Sequence, residues 1–386
     1  MDTFFSPFDG VMQEIAPAGG SRPVGIGVIG LGAFGRFCLE AYLGAPEVRV
    51  VAIADSDPRA VEEGARLAPD ALAYDDAAQL IALPEVEVVT ICAPPDRHLG
   101  LVLAAALAGK HVVCDKPLGV SLAEFDTAVS AASAHGVALG LNLVLRHSTL
   151  YGALHDLAHS GALGGARRLA VENYADEAIG FGPEHWLWDA TRSGGLALSA
   201  DIHWLDLATR LLGPADGAQT WETRAGLEVG PRRLITTTHE NGAVASVYHA
   251  FDTRTGATGC TVLASFDEGE ARVEGWVPQR LTVACPADRV AAVATVLGAT
   301  GLPDVTLSED GRAVLTLHGN PDRRAEYLGM IRTTLRLVLA QTRGDGDANN
   351  LPTARMATAT ALAAEIAAQT RGWVAIGTEG PLEATG

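Results

Sequence analysis

Lysine is almost missing from this chain. Of 28 basic side chains only Lys110 and Lys116 are lysines, and arginine meets every other need for positive charge. An arginine guanidinium keeps its proton in a protein, whereas a lysine ammonium can be tuned to give and take one. Lys116, in Cys114-Asp115-Lys116-Pro117 after an apolar run ending Val112-Val113, is therefore a candidate for proton-linked chemistry. Basic clusters are missing as well. The formal net charge of -18 argues against a nucleic-acid or acidic-membrane partner, because phosphate binding rests on grouped Lys and Arg. No apolar run approaches the ~20 residues of a membrane-spanning helix. Cysteine is sparse: Cys38, Cys92, Cys114, Cys260 and Cys285 are scattered, odd in number and without metal-ligand spacing. They read as reduced thiols of a cytoplasmic protein, with no metal site.

At 386 residues the chain is too long for one ordinary core, so two domains are expected. Residues 1–22 lack the sustained apolar core of a secretory signal and read as a poorly ordered extension, with Phe4, Phe5 and Phe8 free to pack on a neighbour. From Val24 to about Asn142, short apolar runs alternate with amphipathic stretches, the pattern of a parallel sheet with crossover helices. The strands expected are Val24-Ile29, Val48-Ala54, a weaker one near Ala71-Tyr74, Val86-Ala93, His111-Cys114 and Val137-Leu141. Helix starts are marked by Asp57-Pro58 and by the capping box Ser121-Leu122-Ala123-Glu124. After Arg146 the texture changes to a helix over about Thr149 to His159, a strand through Leu169-Tyr174, a helix opening near Ala200, and alternating strands from Trp221 to Val283. Two tail helices follow, Arg324 to Thr342 and Pro352 to Thr370, the second ending at Gly372 as a C-cap. Gly344-Asp345-Gly346-Asp347 between them reads as a mobile loop. The fold class is α/β: a doubly wound parallel sheet over 23–145, then an α/β domain over 146–386 with a large, mostly antiparallel open sheet. Such a sheet leaves a face or edge to cover, so a homodimer or homotetramer is expected.

Two overlapping segments have Gly-x-Gly-x-x-Gly spacing, one running from Gly25 to Gly30 and one from Gly30 to Gly35. A dinucleotide loop must follow a strand and open a helix, so that backbone amides and the helix dipole meet the pyrophosphate. Only Gly30-Leu31-Gly32-Ala33-Phe34-Gly35 does so. Asp55 ends the second strand, where a carboxylate accepts from the adenine ribose hydroxyls and repels a 2'-phosphate. NAD is therefore favoured over NADP.

Together, the Gly30–Gly35 loop, Ala93-Pro94-Pro95-Asp96-Arg97-His98, Cys114-Asp115-Lys116-Pro117-Leu118, Ser193-Gly194-Gly195, Ile202-His203-Trp204-Leu205-Asp206 and Gly372-Trp373-Val374 resemble the glucose-fructose oxidoreductase, inositol dehydrogenase and rhizopine-catabolism (Gfo/Idh/MocA) family. The resemblance implies an NAD(P)-dependent redox reaction on a sugar, inositol or related polyol. It puts Ala93, Pro94, His98 and Asp115 beside the cofactor, Lys116 at both the nicotinamide end and the reacting hydroxyl, and the catalytic histidine at His203. Many members carry an acid four residues before that histidine, whereas Ser199 stands there in this chain and Asp201 two residues before. On a regular helix 199, 203 and 206 share a face and 201 does not.

Oxidising a secondary alcohol takes a proton from oxygen as a hydride leaves carbon. His203 has the pKa range to move that proton, and Lys116 can hold the oxygen. Asp206 is a candidate to orient the imidazole or to act as an ordinary helix carboxylate. Trp186, Trp188 and Ser199 are candidates for the substrate wall, with Tyr174 and Asp176 weaker ones, and Arg146 for the substrate or a salt bridge at the domain junction. Two other readings stay open: a regulatory protein that binds the dinucleotide without turnover, and a lyase or glycosidase using transient oxidation.

Overall fold

The structure, a computed structural model, describes residues 22–176, 180–223, 230–253, 256–307, 312–345 and 351–381. Phe4, Phe5 and Phe8 of the extension, and Gly346 and Asp347 of the tail loop, lie outside the described residues. The first unit is a six-stranded sheet of β1 (Val24–Ile29), β2 (Val48–Ala54), β3 (Leu72–Tyr74), β4 (Val88–Ile91), β5 (His111–Asp115) and β6 (Leu139–Asn142). Its order is β3-β2-β1-β4-β5-β6 and every pairing is parallel. The central strands β1, β2, β4 and β5 are mostly apolar and buried because helices cover both faces, while Arg49 of β2 and the edge strand β3 reach the surface. The helices are α1 (Ala33–Leu43), α2 (Pro58–Leu67), α3 (Ala77–Ile81), α4 (His98–Leu107) and α5 (Leu122–Ala134). Asp57 caps α2 by accepting from the Arg59 N–H, and Ser121 caps α5 by accepting from Glu124. Glu124 reaches back one residue further than the box motif requires, to the Val120 N–H at 2.8 Å. The apolar run Val86-Ala93 pairs only over Val88–Ile91, because Ala93 and Pro94 already belong to the loop leading into α4.

The second unit opens with α6 (Thr149–Ser160), β7 (Ala166–Tyr174) and α7 (Ile202–Leu212). It continues through β8 (Ala215–Thr223), β9 (Arg232–His239), β10 (Val244–Ala250), β11 (Gly259–Phe266), β12 (Gly269–Glu274) and β13 (Arg280–Cys285). Then come α8 (Val290–Gly298), β14 (Asp304–Leu307), β15 (Ala313–His318), α9 (Arg323–Thr342), α10 (Leu351–Thr370), β16 (Val374–Gly377) and β17 (Gly380–Pro381). The strands form one 11-stranded sheet in the order β14-β15-β13-β12-β11-β7-β10-β9-β8-β16-β17. Among the described pairings only β7 with β10 is parallel. Strict alternation such as Ile235, Thr237 and His239 buried against half-exposed Leu234, Thr236 and Thr238 shows one covered face, with α6, α7, α8 and α10 packed on the sheet.

Two tail expectations are corrected. Helix α9, assigned by chain order to the second domain, packs on the first, against α1, β5 and β6. Its arginines make the contact: Arg332 Nε donates to the Ala41 carbonyl at 2.7 Å, Arg336 pairs with Glu47 at 2.7 Å, and Arg324 lies over the Phe37 ring. The left-handed residue that ends α10 is Arg371, with φ of 58°, and not Gly372.

Gly35 lets α1 lie close on the sheet, since a Cβ there would sit 1.9 Å from the Gly30 carbonyl oxygen, whereas one on Gly100 of α4 would meet nothing within 4 Å. Gly35→Ala is expected to destabilise the protein by ~1–3 kcal/mol through overpacking against backbone. Gly100→Ala should be neutral or stabilise by up to ~1 kcal/mol through helix propensity. Thermal unfolding of both variants checks the pair; equal melting temperatures would contradict the tight helix–strand contact.

Candidate functional site

The carboxyl ends of β1, β4 and β5 open into one crevice, at the point where the strand order reverses and α/β sheets take ligands. Gly30 leaves β1 with φ of 87°, a left-handed conformation, and a Cβ there would stand 2.6 Å from the Ala93 N, so the two loops approach as only glycine allows. Gly32 is the N-cap of α1, carries no side-chain cap, and would meet nothing if given a Cβ; the amide end of the helix faces open space. Gly25 and Gly27 of the overlapping copy serve packing: their Cβ atoms would strike the Glu85 carbonyl at 1.8 Å and the Leu80 side chain at 2.4 Å.

Asp55 fastens the end of β2 to this loop. Its Oδ2 accepts from the Leu31 N–H at 2.6 Å and its Oδ1 from the Asp57 N–H at 2.9 Å. The open amides, the exposed Gly32 and Ala33 with half-buried Phe34, and a carboxylate at the second strand together fit a dinucleotide. Ala93 and Pro94 line the same mouth, half-buried. His98 does not face it. The ring is fully buried, with Nδ1 2.5 Å from the Pro117 carbonyl and Nε2 2.7 Å from that of Ala93, so it braces the β4 and β5 loops against each other.

Lys116 leaves β5 through a cis peptide to Pro117, and its Nζ donates to the backbone carbonyl of Ser199 in the second unit. Asp115 beside it is half-buried, and its desolvation raises its pKa against the lowering pull of the Lys116 charge. Asn142 of β6 holds Asp115 by a hydrogen bond, and Asn142 Oδ1 in turn accepts from Thr334 of α9 at 3.0 Å. Across the cleft, His203 sits in the first turn of α7, 6% exposed, with no hydrogen-bond partner for Nδ1 among the described residues. Burial first, and the nearby Lys116 ammonium second, hold its pKa well below the usual histidine range, so the ring is neutral.

The imidazole meets the edge of Trp276 at 5.1 Å between centroids, and the Trp276 indole bonds Tyr327 of α9, whose ring packs 5.0 Å from Phe37. Burial raises the Tyr327 phenol well above its normal pKa, and the Asp115 charge adds to the shift. Trp276 and Tyr327 were missed by sequence reasoning. One lies in the turn between β12 and β13 and the other in a tail helix, and neither carries a local pattern that ties it to Lys116 or His203.

Residues 197–201, just before α7, form a π-turn, a geometry that often marks functional sites. It changes which residues share a face. Ser199 is buried with its hydroxyl donating to the Ser193 carbonyl at 2.5 Å, so its backbone, not its side chain, meets Lys116. Asp201 turns to the sheet and takes the His249 Nδ1 at 2.6 Å.

Asp206 and Arg146 are each other's partners. Nε and Nη2 of the arginine bind both carboxylate oxygens, at 2.8 and 2.5 Å, in a buried bidentate pair. Asp206 therefore does not orient His203, and Arg146 pins the junction. Trp186 and Trp188 pack on a small satellite core of Leu187, Leu196 and Phe251, and the Trp188 indole donates to the Gly182 carbonyl at 2.8 Å; both brace their own loop. Tyr174 is exposed and bonds Glu172 on the outer sheet face, opposite the covered side.

Such a sheet edge, joined to a second sheet unit through Lys116 and the Ser199 carbonyl, defines a dinucleotide-binding protein of two packed units. A family model described as oxidoreductase family, NAD-binding Rossmann fold (GFO_IDH_MocA), matches residues 24–143, the first sheet unit of this chain. The chain is similar to an inositol 2-dehydrogenase of Burkholderia multivorans, 34% identical over 194 residues, which are 49% of this chain and 54% of that one. It is also similar to a dTDP-3,4-didehydro-2,6-dideoxy-alpha-D-glucose 3-reductase of Saccharopolyspora spinosa, 29% identical over 60% of this chain and 69% of that one. The chain spans about half the length of the inositol dehydrogenases it matches. A levoglucosan dehydrogenase solved with NADH and levoglucosan has the same fold, with a TM-score of 0.75 at 20% identity over 92% of this chain and 99% of that one.

His147, half-buried beside Arg146 and Arg210, is held down to about 3 by desolvation first and those charges second, so it too is neutral in the fold. An unfolded histidine protonates near pH ~6.5, so below that value the unfolded chain binds protons that these native rings refuse. The stability from His147 and His203 is complete above ~6.5 and falls with pH at ~1.4 kcal/mol per unit for each ring. Urea unfolding at pH ~7.5 and ~5 should show the loss, and His147→Asn should reduce its slope. Equal stability at the two pH values would contradict neutral burial.

Proposed function

We propose that this protein is an NAD-dependent oxidoreductase that interconverts a secondary alcohol and a ketone on a sugar, inositol or related polyol. The observation that carries the reading is the opposition of a lysine ammonium and a neutral, buried histidine beside an open glycine-rich helix end. Lys116 holds the reacting oxygen by a charge-assisted hydrogen bond and offsets negative charge as it develops there. His203, a neutral imidazole, takes the hydroxyl proton or returns it. Gly30, Gly32, Ala33, Phe34, Gly35, Asp55, Ala93 and Pro94 hold the dinucleotide, which when bound supplies the hydride acceptor or donor. Trp276 and Tyr327 wall the site and exclude water from the imidazole side. The names of the relatives, inositol dehydrogenases, a nucleotide-sugar reductase and a levoglucosan dehydrogenase, support a polyhydroxylated substrate.

We place the protein in the cytoplasm, because all five cysteines are unpaired; no helix among the described residues is long and apolar enough to cross a membrane. The outer face of the 11-stranded sheet is the proposed self-association surface. In register across it run Thr236, Ser246, Ala170, Leu263, Arg272, Thr282 and Thr316, small or short-branched except for Leu263 and Arg272. Light scattering at micromolar concentration should give a dimer or tetramer, and Leu263→Glu should dissociate it; a wild-type monomer would refute this surface.

The catalytic assignment is tested by Lys116→Arg and His203→Asn, in a screen of inositols, aldoses and nucleotide-linked keto sugars read by nicotinamide absorbance. Each variant should keep NADH affinity while turnover drops by about two orders of magnitude or more, since a guanidinium cannot exchange its proton and an amide cannot accept one. Near-normal turnover in Lys116→Arg would show that the lysine is not catalytic.

A further inference from the structure

Buried Asp201, His249 and Arg233 and the partly exposed Glu365 form a cluster around the π-turn, away from the cleft. Asp201, fully buried at the end of the turn, accepts from His249 Nδ1 of β10 at 2.6 Å, and the Asn173 amide of β7 donates to the other ring nitrogen at 2.9 Å. The second Asp201 oxygen lies 3.9 Å from Nη1 of Arg233 on β9, itself 1% exposed. The same Nη1 donates at 2.8 Å to Glu365 of α10, and Glu365 Oε1 accepts the Ala197 N–H, at the start of the turn, at 2.5 Å. Gly195 makes room for this: its φ is 99°, and a Cβ there would collide with the Glu365 carboxyl at 2.4 Å.

Both ends of the turn are thus held by carboxylates that share one arginine, while its middle residue, Ser199, offers the carbonyl that takes the Lys116 ammonium. Burying a carboxylate is costly unless it is paired and bonded, so a cluster of this kind enforces one backbone arrangement strongly. The hydrogen-bond pattern of the ring also fixes a tautomer: His249 donates from Nδ1 and accepts at Nε2.

We infer that Asp201, with His249, Arg233 and Glu365, is a positioning residue that holds the π-turn so that the Ser199 carbonyl meets Lys116 and the His203 ring faces the cleft. The inference deepens the proposed reaction and rests on it for its catalytic meaning. Asp201 touches no reacting atom; it acts through the backbone. Its removal alters Lys116, some distance away in the other unit, through a carbonyl it does not itself carry.

The scarcity of lysine makes this measurable without a substrate. In protein labelled with ε-13C lysine, NMR gives one signal from Lys110, bound to the Leu83 and Val86 carbonyls, and one from Lys116, assigned by its loss in Lys116→Arg. Asp201→Asn should shift the Lys116 signal and move its titration midpoint by about half a unit or more, leaving Lys110 unchanged. Glu365→Gln, at a partly exposed position, should shift the Lys116 signal in the same way if Asp201→Asn does not fold.

With a polyol that the wild type accepts, turnover should fall about tenfold or more. NADH affinity should stay within about twofold. Folded variants whose Lys116 signal and titration match the wild type would overturn the inference. A wild type that turns over no polyol would overturn the dehydrogenase reading instead, and the lysine spectra would still decide the clamp.

Discussion

A charge-assisted hydrogen bond from the Lys116 ammonium to the Ser199 carbonyl joins the loop that ends β5 to the turn that begins α7, and so joins the two sheet units at the crevice. Most of the other features of the site follow from it. The lysine must emerge at the carboxyl edge of a parallel sheet, which the β3-β2-β1-β4-β5-β6 order provides beside the glycine-rich loop. The carbonyl that meets it is supplied from within a π-turn. The histidine one turn on is then carried to the same cleft, with its charge suppressed by burial and by the lysine.

Buried charge elsewhere stiffens this arrangement. The Arg146–Asp206 pair locks the segment leaving β6 to α7, and losing one partner of such a pair costs ~3–5 kcal/mol because the other charge is left buried. Helix α9 crosses back to the first unit through Arg324, Arg332 and Arg336, bringing Tyr327 against Phe37 and Trp276. The abundance of arginine over lysine thus has a structural counterpart: the Arg146–Asp206 and Arg324–Glu40 junctions are bidentate, a geometry that a guanidinium makes and an ammonium does not.

Much of this was legible in the sequence where the signal is local. Strands β1 and β2 fall on their expected residues, Asp57 and Ser121 cap their helices, and of the two overlapping glycine motifs the one that follows a strand and opens a helix forms the loop. Opposition of Lys116 and His203 was reached only through resemblance, since no periodicity relates residues in different units. What failed depended on contacts distant in sequence. The resemblance puts His98 beside the cofactor, whereas its ring is found between two carbonyls. Asp206 was open between orienting His203 and serving as an ordinary helix carboxylate, and its pairing with Arg146 favours the second. The π-turn, Trp276 and Tyr327 have no sequence signature, because a π-turn is set by the clamp around it and the two aromatics are brought in by a hairpin and a tail helix.

The central claim is that Lys116 and His203 act on one oxygen beside the nicotinamide. A crystal structure of the protein with NADH tests it most directly. The account expects the pyrophosphate at the Gly32 end of α1, the adenine ribose against Asp55, and the nicotinamide ring lying between the Lys116 ammonium and the His203 imidazole. A nicotinamide ordered away from both side chains would contradict it.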